Sequence, residues 1–365
     1  NSGVAKTTDG GTTWSFVNAG ITDLHIQTIV ISSDVPDTLY IGTVSGGVFK
    51  TFDGGTNWST MNSGLGNVDV RKLVIDPNQP YIIYAGTRAG INLLVDEDRN
   101  NNGNLDAEED LNNNGLLDNG WSAMNNGITG QHDIIVKTMV IDPNNTSTIL
   151  SSTASSGIFT STNSGANWTN TSVGLTNNFI YTMAITPGES NTIYAGTRGS
   201  GLFKSIDGGL SWFASNTGLA SNDSDGIVHI NAIVVDPALP ATVYAGTQDN
   251  GVFKSMDAGS SWVSLNDGLT NNTINSLTLV RNSTPPILLA GTEGDGVLEI
   301  QSSTTSSSSA ALKSETTPRD SNNASGGGGG IIFPGLLILL VLAWAKRMIP
   351  LPRVRRSCLS NPIVT

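Results

Sequence analysis

The feature that most limits what this chain can fold into is a short phrase that keeps returning. A glycine followed by apolar residues begins copies at Gly3 (GVAK), Gly47 (GVFK), Gly157 (GIFT), Gly201 (GLFK), Gly251 (GVFK) and Gly296 (GVLE), and a degenerate GINLL begins at Gly90. Successive starts lie 44, 43, 67, 44, 50 and 45 residues apart. A period of this size marks one supersecondary unit, stacked on copies of itself because a single unit cannot cover its own apolar faces.

Each unit offers four strands. An apolar strand comes first, at 26–31, 70–75, 136–141, 180–185, 230–235 and 274–279. A YAGT-like strand and the GVFK strand follow, and the fourth strand starts at a tryptophan. Strands this short, at this spacing, predict four-stranded antiparallel blades. The fold class is therefore all-β, a β-propeller over residues 1–301. Six copies of the first two strands are present, but the third strand occurs at both Gly3 and Gly296. The sequence thus reads as starting mid-blade, with seven blades expected in the intact molecule. It opens on Asn1 with no signal peptide, as a processed or partial chain would.

Charge narrows the function. Residues 1–301 carry 11 Lys and Arg against 28 Asp and Glu, whereas 302–365 carry 7 against 2. Nucleic acid needs clustered cations, so an acidic body argues against it. The single cysteine, Cys358, lies in the tail, and no disulfide is expected in the propeller.

The turn after each GVFK strand follows S/T-x-D/N-x-G-x-S/T/N-W. It runs through Thr7, Asp9, Gly11 and Trp14; Thr51, Asp53, Gly55 and Trp58; Ser161, Asn163, Gly165 and Trp168; Ser205, Asp207, Gly209 and Trp212; Ser255, Asp257, Gly259 and Trp262. A short acidic or amide side chain accepts backbone N–H groups within the turn, glycine permits positive φ, and tryptophan plugs the space between sheets. These residues are read as structural. The pattern resembles the Asp-box (BNR) repeat of sialidases, xyloglucan-active glycoside hydrolases, sortilin-type luminal domains and photosystem II assembly-factor-like proteins. The resemblance implies blades and does not specify a reaction.

In the third unit the turn gives way to DEDRNNNGNLDAEEDLNNNGLLDNGW, residues 96–121. Asp98, Asn100, Asn102, Asn104, Asp106 and Glu109, with Gly103 at the bend, fit an EF-hand-like loop. Asp110, Asn112, Asn114 and Asp118 begin a partial second one, in which Trp121 stands where the closing Glu should be. Alternating hard oxygens predict a structural Ca²⁺ in the 96–120 insertion.

Residues 302–330 are Ser- and Gly-rich, too poor in apolar groups to fold, and read as a flexible linker. Residues 331–345 form an apolar stretch followed by a basic tail, 346–365. This predicts one transmembrane helix with its C-terminus in the cytoplasm and the propeller outside, at the cell surface or secreted. The ensemble resembles a GlyGly-CTERM sorting tail, which implies a rhomboid-like protease that cuts near the glycines. Plain anchoring and cut-and-sorted processing both stay open.

At the end where the innermost strands enter, the variable residues include Asp23, His25, Asp69, Asp133, Phe179, His229 and Asn272. The first polar positions inside the strands are Gln27, Arg71, Lys137, Tyr181, Asn231 and Asn275. Asp23, Asp69 and Asp133 are the candidate catalytic carboxylates, because glycosidases need two. No sialidase-like arginine motif is present; Arg88 and Arg198 read as repeat inheritance and Tyr181 as axial packing. His25, His132 and His229 lack metal-ligand spacing. Two functions remain: a non-catalytic propeller that binds a glycan or a protein, and a secreted glycoside hydrolase.

Overall fold

The computed structural model describes residues 2–98, 120–129, 134–220, 226, 228–280 and 286–300, together with the backbone of Leu340–Val341. Six antiparallel sheets follow one another along the chain, at 26–60, 70–123, 136–170, 180–214, 230–264 and 274–300. The first five have four strands in sequence order, and the sixth has three. Their innermost strands are Ile26–Ile31, Val70–Ile75, Val136–Ile141, Ile180–Thr186, Ile230–Val235 and Ile274–Val280. Each packs on the next around a common axis. The molecule is an all-β propeller of six blades.

Ahead of the first blade, Ala5–Thr7 and Ser15–Phe16 pair as an outer hairpin. Val4 enters a core cluster there with Ile26, Leu39, Phe49 and Trp58. Lys6 and Thr7 also pair, in parallel, with Leu340 and Val341. The rest of 331–345, and all of 302–330 and 346–365, lie outside the described residues. Among the described residues no helix is long and apolar enough to cross a membrane.

The core is divided into one apolar cluster per blade interface. Tyr40 and Val48 of one blade meet Val70, Leu73, Ile83 and Trp121 of the next. Tyr84 and Ile91 meet Val136, Met139 and Trp168 in the same way. The middle strands are covered on both faces, which is why LYIGT and VYAGT contain no alternating polar residues.

The conserved-looking turn works as its chemistry suggests. Ser205 Oγ donates to Asp207 Oδ1 at 2.7 Å and accepts the Gly209 N–H at 2.8 Å. Asp207 accepts the Ser211 N–H at 2.9 Å and its hydroxyl at 2.5 Å. The Ser211 hydroxyl is the chief reason that the Asp207 carboxyl is held down at about 2. Asn163 makes the equivalent bonds with an amide.

Tryptophan ties each of the first five blades to the chain segment before it. Trp212 is 2% exposed, its indole N–H donates to Thr171 O at 2.9 Å, and its backbone N–H donates to Val173 O at 2.9 Å. Gly174, at φ +88°, lies so close that a Cβ there would fall 2.2 Å from Trp212 O. Trp58, Trp121, Trp168 and Trp262 reach Val17, Met61, Met124 and Ser215 carbonyls in the same fashion. Trp121 keeps this role although an insertion precedes it. Trp14 is the exception: it is 39% exposed and its indole N–H turns back on Gly11 of its own turn.

Candidate functional site at the axial mouth

Every innermost strand carries a register shift at its second residue. Pairing skips from Ile26 to Thr28, Val70 to Lys72, Val136 to Thr138, Ile180 to Thr182, Ile230 to Ala232 and Ile274 to Ser276. The skipped residues are Gln27, Arg71, Lys137, Tyr181, Asn231 and Asn275, all half-buried. A bulge leaves its extra residue out of the ladder and re-aims the side chain, here at the strand end that faces the axis. The six positions aligned from the sequence are therefore structurally equivalent, and each is a bulge.

The ring is uneven. On the second, third and fourth blades it is cationic and aromatic. Lys137 Nζ lies 5.6 Å from the centre of the Tyr181 ring, and the Arg198 guanidinium lies 6.0 Å from it. Arg198 also donates to the Tyr181 hydroxyl at 3.2 Å. Burial, then the charges of Arg71 and Arg198, pull the Lys137 ammonium below its usual pKa, and Arg88 adds to this while Asp69 opposes it. Arg71, Arg88 and Arg198 thus each lie within electrostatic reach of Lys137. Phe179, half exposed, sits on the same rim and accepts the Arg198 backbone N–H through its carbonyl at 2.9 Å. On the remaining blades the ring presents the amides of Gln27, Asn231 and Asn275.

Sequence reading missed this arc. Arg88 and Arg198 occupy equivalent turns, and the turn between them carries Ala154, a small residue. Pairing of Ile180 with Thr197 inside the fourth blade sets Arg198 over Tyr181, and packing of the third blade against it adds Lys137.

The two candidate carboxylates among the described residues, Asp23 and Asp69, are occupied. Asp23, 8% exposed, accepts the His25 N–H at 3.0 Å, the Ser45 N–H at 2.6 Å and the Ser45 hydroxyl at 2.8 Å. His25 Nδ1 lies 2.8 Å from the same carboxylate. Burial raises the Asp23 pKa, but these bonds outweigh it and hold the group well below the usual carboxylate range. Asp69 pairs with Arg71, with Nη2 donating at 2.6 Å. Asp133 and His132 lie outside the described residues. His229 bridges Arg198 in an isolated antiparallel pair.

At the other end the axis opens into a cavity of 480 Å³ lined by aliphatic groups, among them Val30, Val74, Val140 and Ile185, with Lys72 the one charged side chain. Burial lowers the Lys72 pKa. That end offers no ring of polar groups, so the polar mouth is the candidate site.

The insertion is rooted in the wall between the first two blades. Asp96, Glu97 and Asp98 are buried. Lys50 Nζ pairs with Asp96 at 2.8 Å and donates to Asp98 O at 2.7 Å, and the Tyr40 hydroxyl bonds Asp96. Elsewhere Lys6 and Lys204 clasp the Gly54 and Ala258 carbonyls of the neighbouring turn. The insertion therefore starts from the same clamp that ordinary turns use. Among the described residues no group of three or more His, Cys, Asp or Glu converges as a metal site. Asn100, Asn102, Asn104, Asp106, Glu109, Asp110, Asn112, Asn114 and Asp118 lie outside them.

No family model matches the chain, and no curated protein matches it. Solved structures share its fold. An ancestral GH74 enzyme superposes with a TM-score of 0.58 and 19% identity, over 82% of this chain and 38% of that one. The GH74 xyloglucanase from Xanthomonas campestris gives 0.61 and 17%, over 81% and 48%. The extracellular domain of a putative hybrid two-component system from B. thetaiotaomicron gives 0.55 and 22%, over 77% and 32%. The chain spans less than half the length of each. At these identities the likeness is one of fold.

Proposed function

We propose that this chain is an extracytoplasmic propeller that binds a glycan or protein ligand at its axial mouth without cleaving it. The observation that carries this reading is the set of six bulge residues, amides on three blades and cations with the half-buried Tyr181 on the others, beside the exposed ring of Phe179. Aromatic rings flanked by amides and guanidinium groups suit the apolar faces and hydroxyls of sugars. A general acid must hold a proton near neutral pH, and the depressed Asp23 does not.

A second reading, a glycoside hydrolase, is favoured by the likeness to GH74 enzymes. The full chain incubated with a polysaccharide panel decides between them. Retention of an oligosaccharide without release of shorter sugars supports binding. Release that disappears in Asp23→Asn, Asp69→Asn or Asp133→Asn establishes the hydrolase.

The same reading includes a structural Ca²⁺ held by Asp98 and the oxygens of residues 100–118. It also includes a C-terminal anchor at 331–345, either retained or removed by a rhomboid-like protease after passage through the membrane. Cell fractionation with antibodies to each end separates these fates: one band in the membrane fraction means retention, and a shortened chain outside means processing.

A further inference from the structure

The charge of the axial arc runs against that of the molecule. Residues 1–301 hold 28 acids and 11 bases, yet three of those bases, Arg71, Arg88 and Arg198, lie within electrostatic reach of a fourth, Lys137. The other described cations mostly have structural work. Lys6 and Lys204 clasp carbonyls, Lys50 holds Asp96, and Lys254 lies over Tyr244.

Among the described residues the ion pairs are His25–Asp23, Lys50–Asp96 and Arg71–Asp69. Arg88, Lys137 and Arg198 belong to none of them. Like charges gathered on one rim repel one another, and the depressed Lys137 ammonium registers that cost together with burial. An anion seated among them relieves it.

We propose that Lys137 and Arg198, which flank Tyr181, bind the acidic group of a carboxylate- or sulfate-bearing saccharide. The inference rests on the axial binding site proposed above and specifies its ligand class. Arg198 and Lys137 flank the Tyr181 ring and leave a cationic collar about an aromatic face. The exposed ring of Phe179 adds a second stacking surface on the same rim. The amides of Gln27, Asn231 and Asn275 across the mouth suit neutral hydroxyls. A saccharide with one acidic and several hydroxyl groups matches both halves, whereas a polyanionic peptide would carry further carboxylates to an amide half that holds no cation to pair them.

The test is calorimetry on the full chain with four probes: a uronate oligosaccharide, its carboxyl-reduced neutral counterpart, a sulfated oligosaccharide of equal length and a polyglutamate peptide. The acidic saccharides are expected to bind at least about tenfold more tightly than the neutral one, the size of one charge-assisted hydrogen bond. Their affinity falls steeply as salt rises from about 0.05 to about 0.5 M. Lys137→Met and Arg198→Gln each weaken the acidic probes about tenfold more than they weaken the neutral probe. Arg198→Lys, which keeps the charge at an exposed position, retains most of the affinity.

Equal binding of acidic and neutral oligosaccharides, unmoved by these variants, overturns the inference and leaves the axial binding site standing. Binding of polyglutamate alone overturns it in favour of a protein ligand. Failure of all four probes removes the axial site along with it. The two acidic saccharides tell carboxylate from sulfate.

Discussion

Trp212 and Trp14 occupy the same place in the repeat and should respond to truncation very differently. Trp212 is 2% exposed, packs with Leu150, Ile158, Ile193 and Phe203, and donates to Thr171 O at 2.9 Å. Its ring removes about 200 Å² from water, worth about 5 kcal/mol at roughly 25 cal/mol per Å². Truncation also strands the Thr171 carbonyl at about 1 kcal/mol, and partial collapse of the void gives some back. Trp212→Ala is therefore expected to cost about 4 kcal/mol. Trp14 is 39% exposed and its N–H satisfies only its own turn, so Trp14→Ala should cost about 1 kcal/mol. With a guanidinium m-value of about 5 kcal/mol/M for a domain this large, the midpoints fall by about 0.8 and about 0.2 M. Far-UV circular dichroism reads both transitions. Equal shifts for the two variants would refute the claim that the indole acts by stitching a blade to its predecessor.

Three further outcomes follow from the same geometry. Asp9, Asp207 and Asp257 are held at about 2 by the hydroxyls of Thr13, Ser211 and Ser261. Because the folded carboxylates lie below an unfolded value near 3.9, their contribution is whole above about pH 4 and is lost as pH falls towards 2. Thermal midpoints across that window should drop, and less so in Asp207→Asn, since Asn163 shows that an amide serves the turn. Lys50→Met leaves the buried Asp96 carboxylate without its cation and should cost about 3–5 kcal/mol, whereas Lys50→Met with Asp96→Leu should recover most of it; denaturant midpoints that stay equal for both would contradict the ion-pair argument. Calcium at about a hundredfold over its dissociation constant should raise the thermal midpoint by about 5 °C relative to chelator, and an unchanged midpoint counts against metal in the 96–120 insertion.

Much of the architecture was legible because each element has local causes. The inner strands at 26–31, 70–75, 136–141 and 230–235 match the predicted limits, and those at 180–185 and 274–279 are each one residue longer. Turn chemistry is contained within seven residues, so Ser205, Asp207, Gly209 and Ser211 could be assigned from spacing alone. The asparagines that tie strands together were not seen. Asn216 accepts the Leu202 N–H at 2.7 Å and donates to Ser200 O at 3.1 Å, and neither partner is near it in sequence.

The site divides along the same line. Gln27, Arg71, Lys137, Tyr181, Asn231 and Asn275 could be named as a ring from repeat alignment, since equivalent positions in a repeat fold share an environment. Which of them work together could not be named. The bulges that turn them out of the ladder depend on pairing with a second strand, and the approach of Arg198 to Lys137 depends on how adjacent blades twist past each other. Asp23 looked available in sequence, and Ser45, 22 residues away, closes it off. Sequence by itself determined the repeat, the blades, the turn that links them and the acidic character of the body, because hydrophobic period and backbone hydrogen bonding act over a few residues. Tertiary structure alone decided which charges are paired and which stand together at the mouth, because Coulomb energy and burial depend on distances between blades that no local pattern specifies.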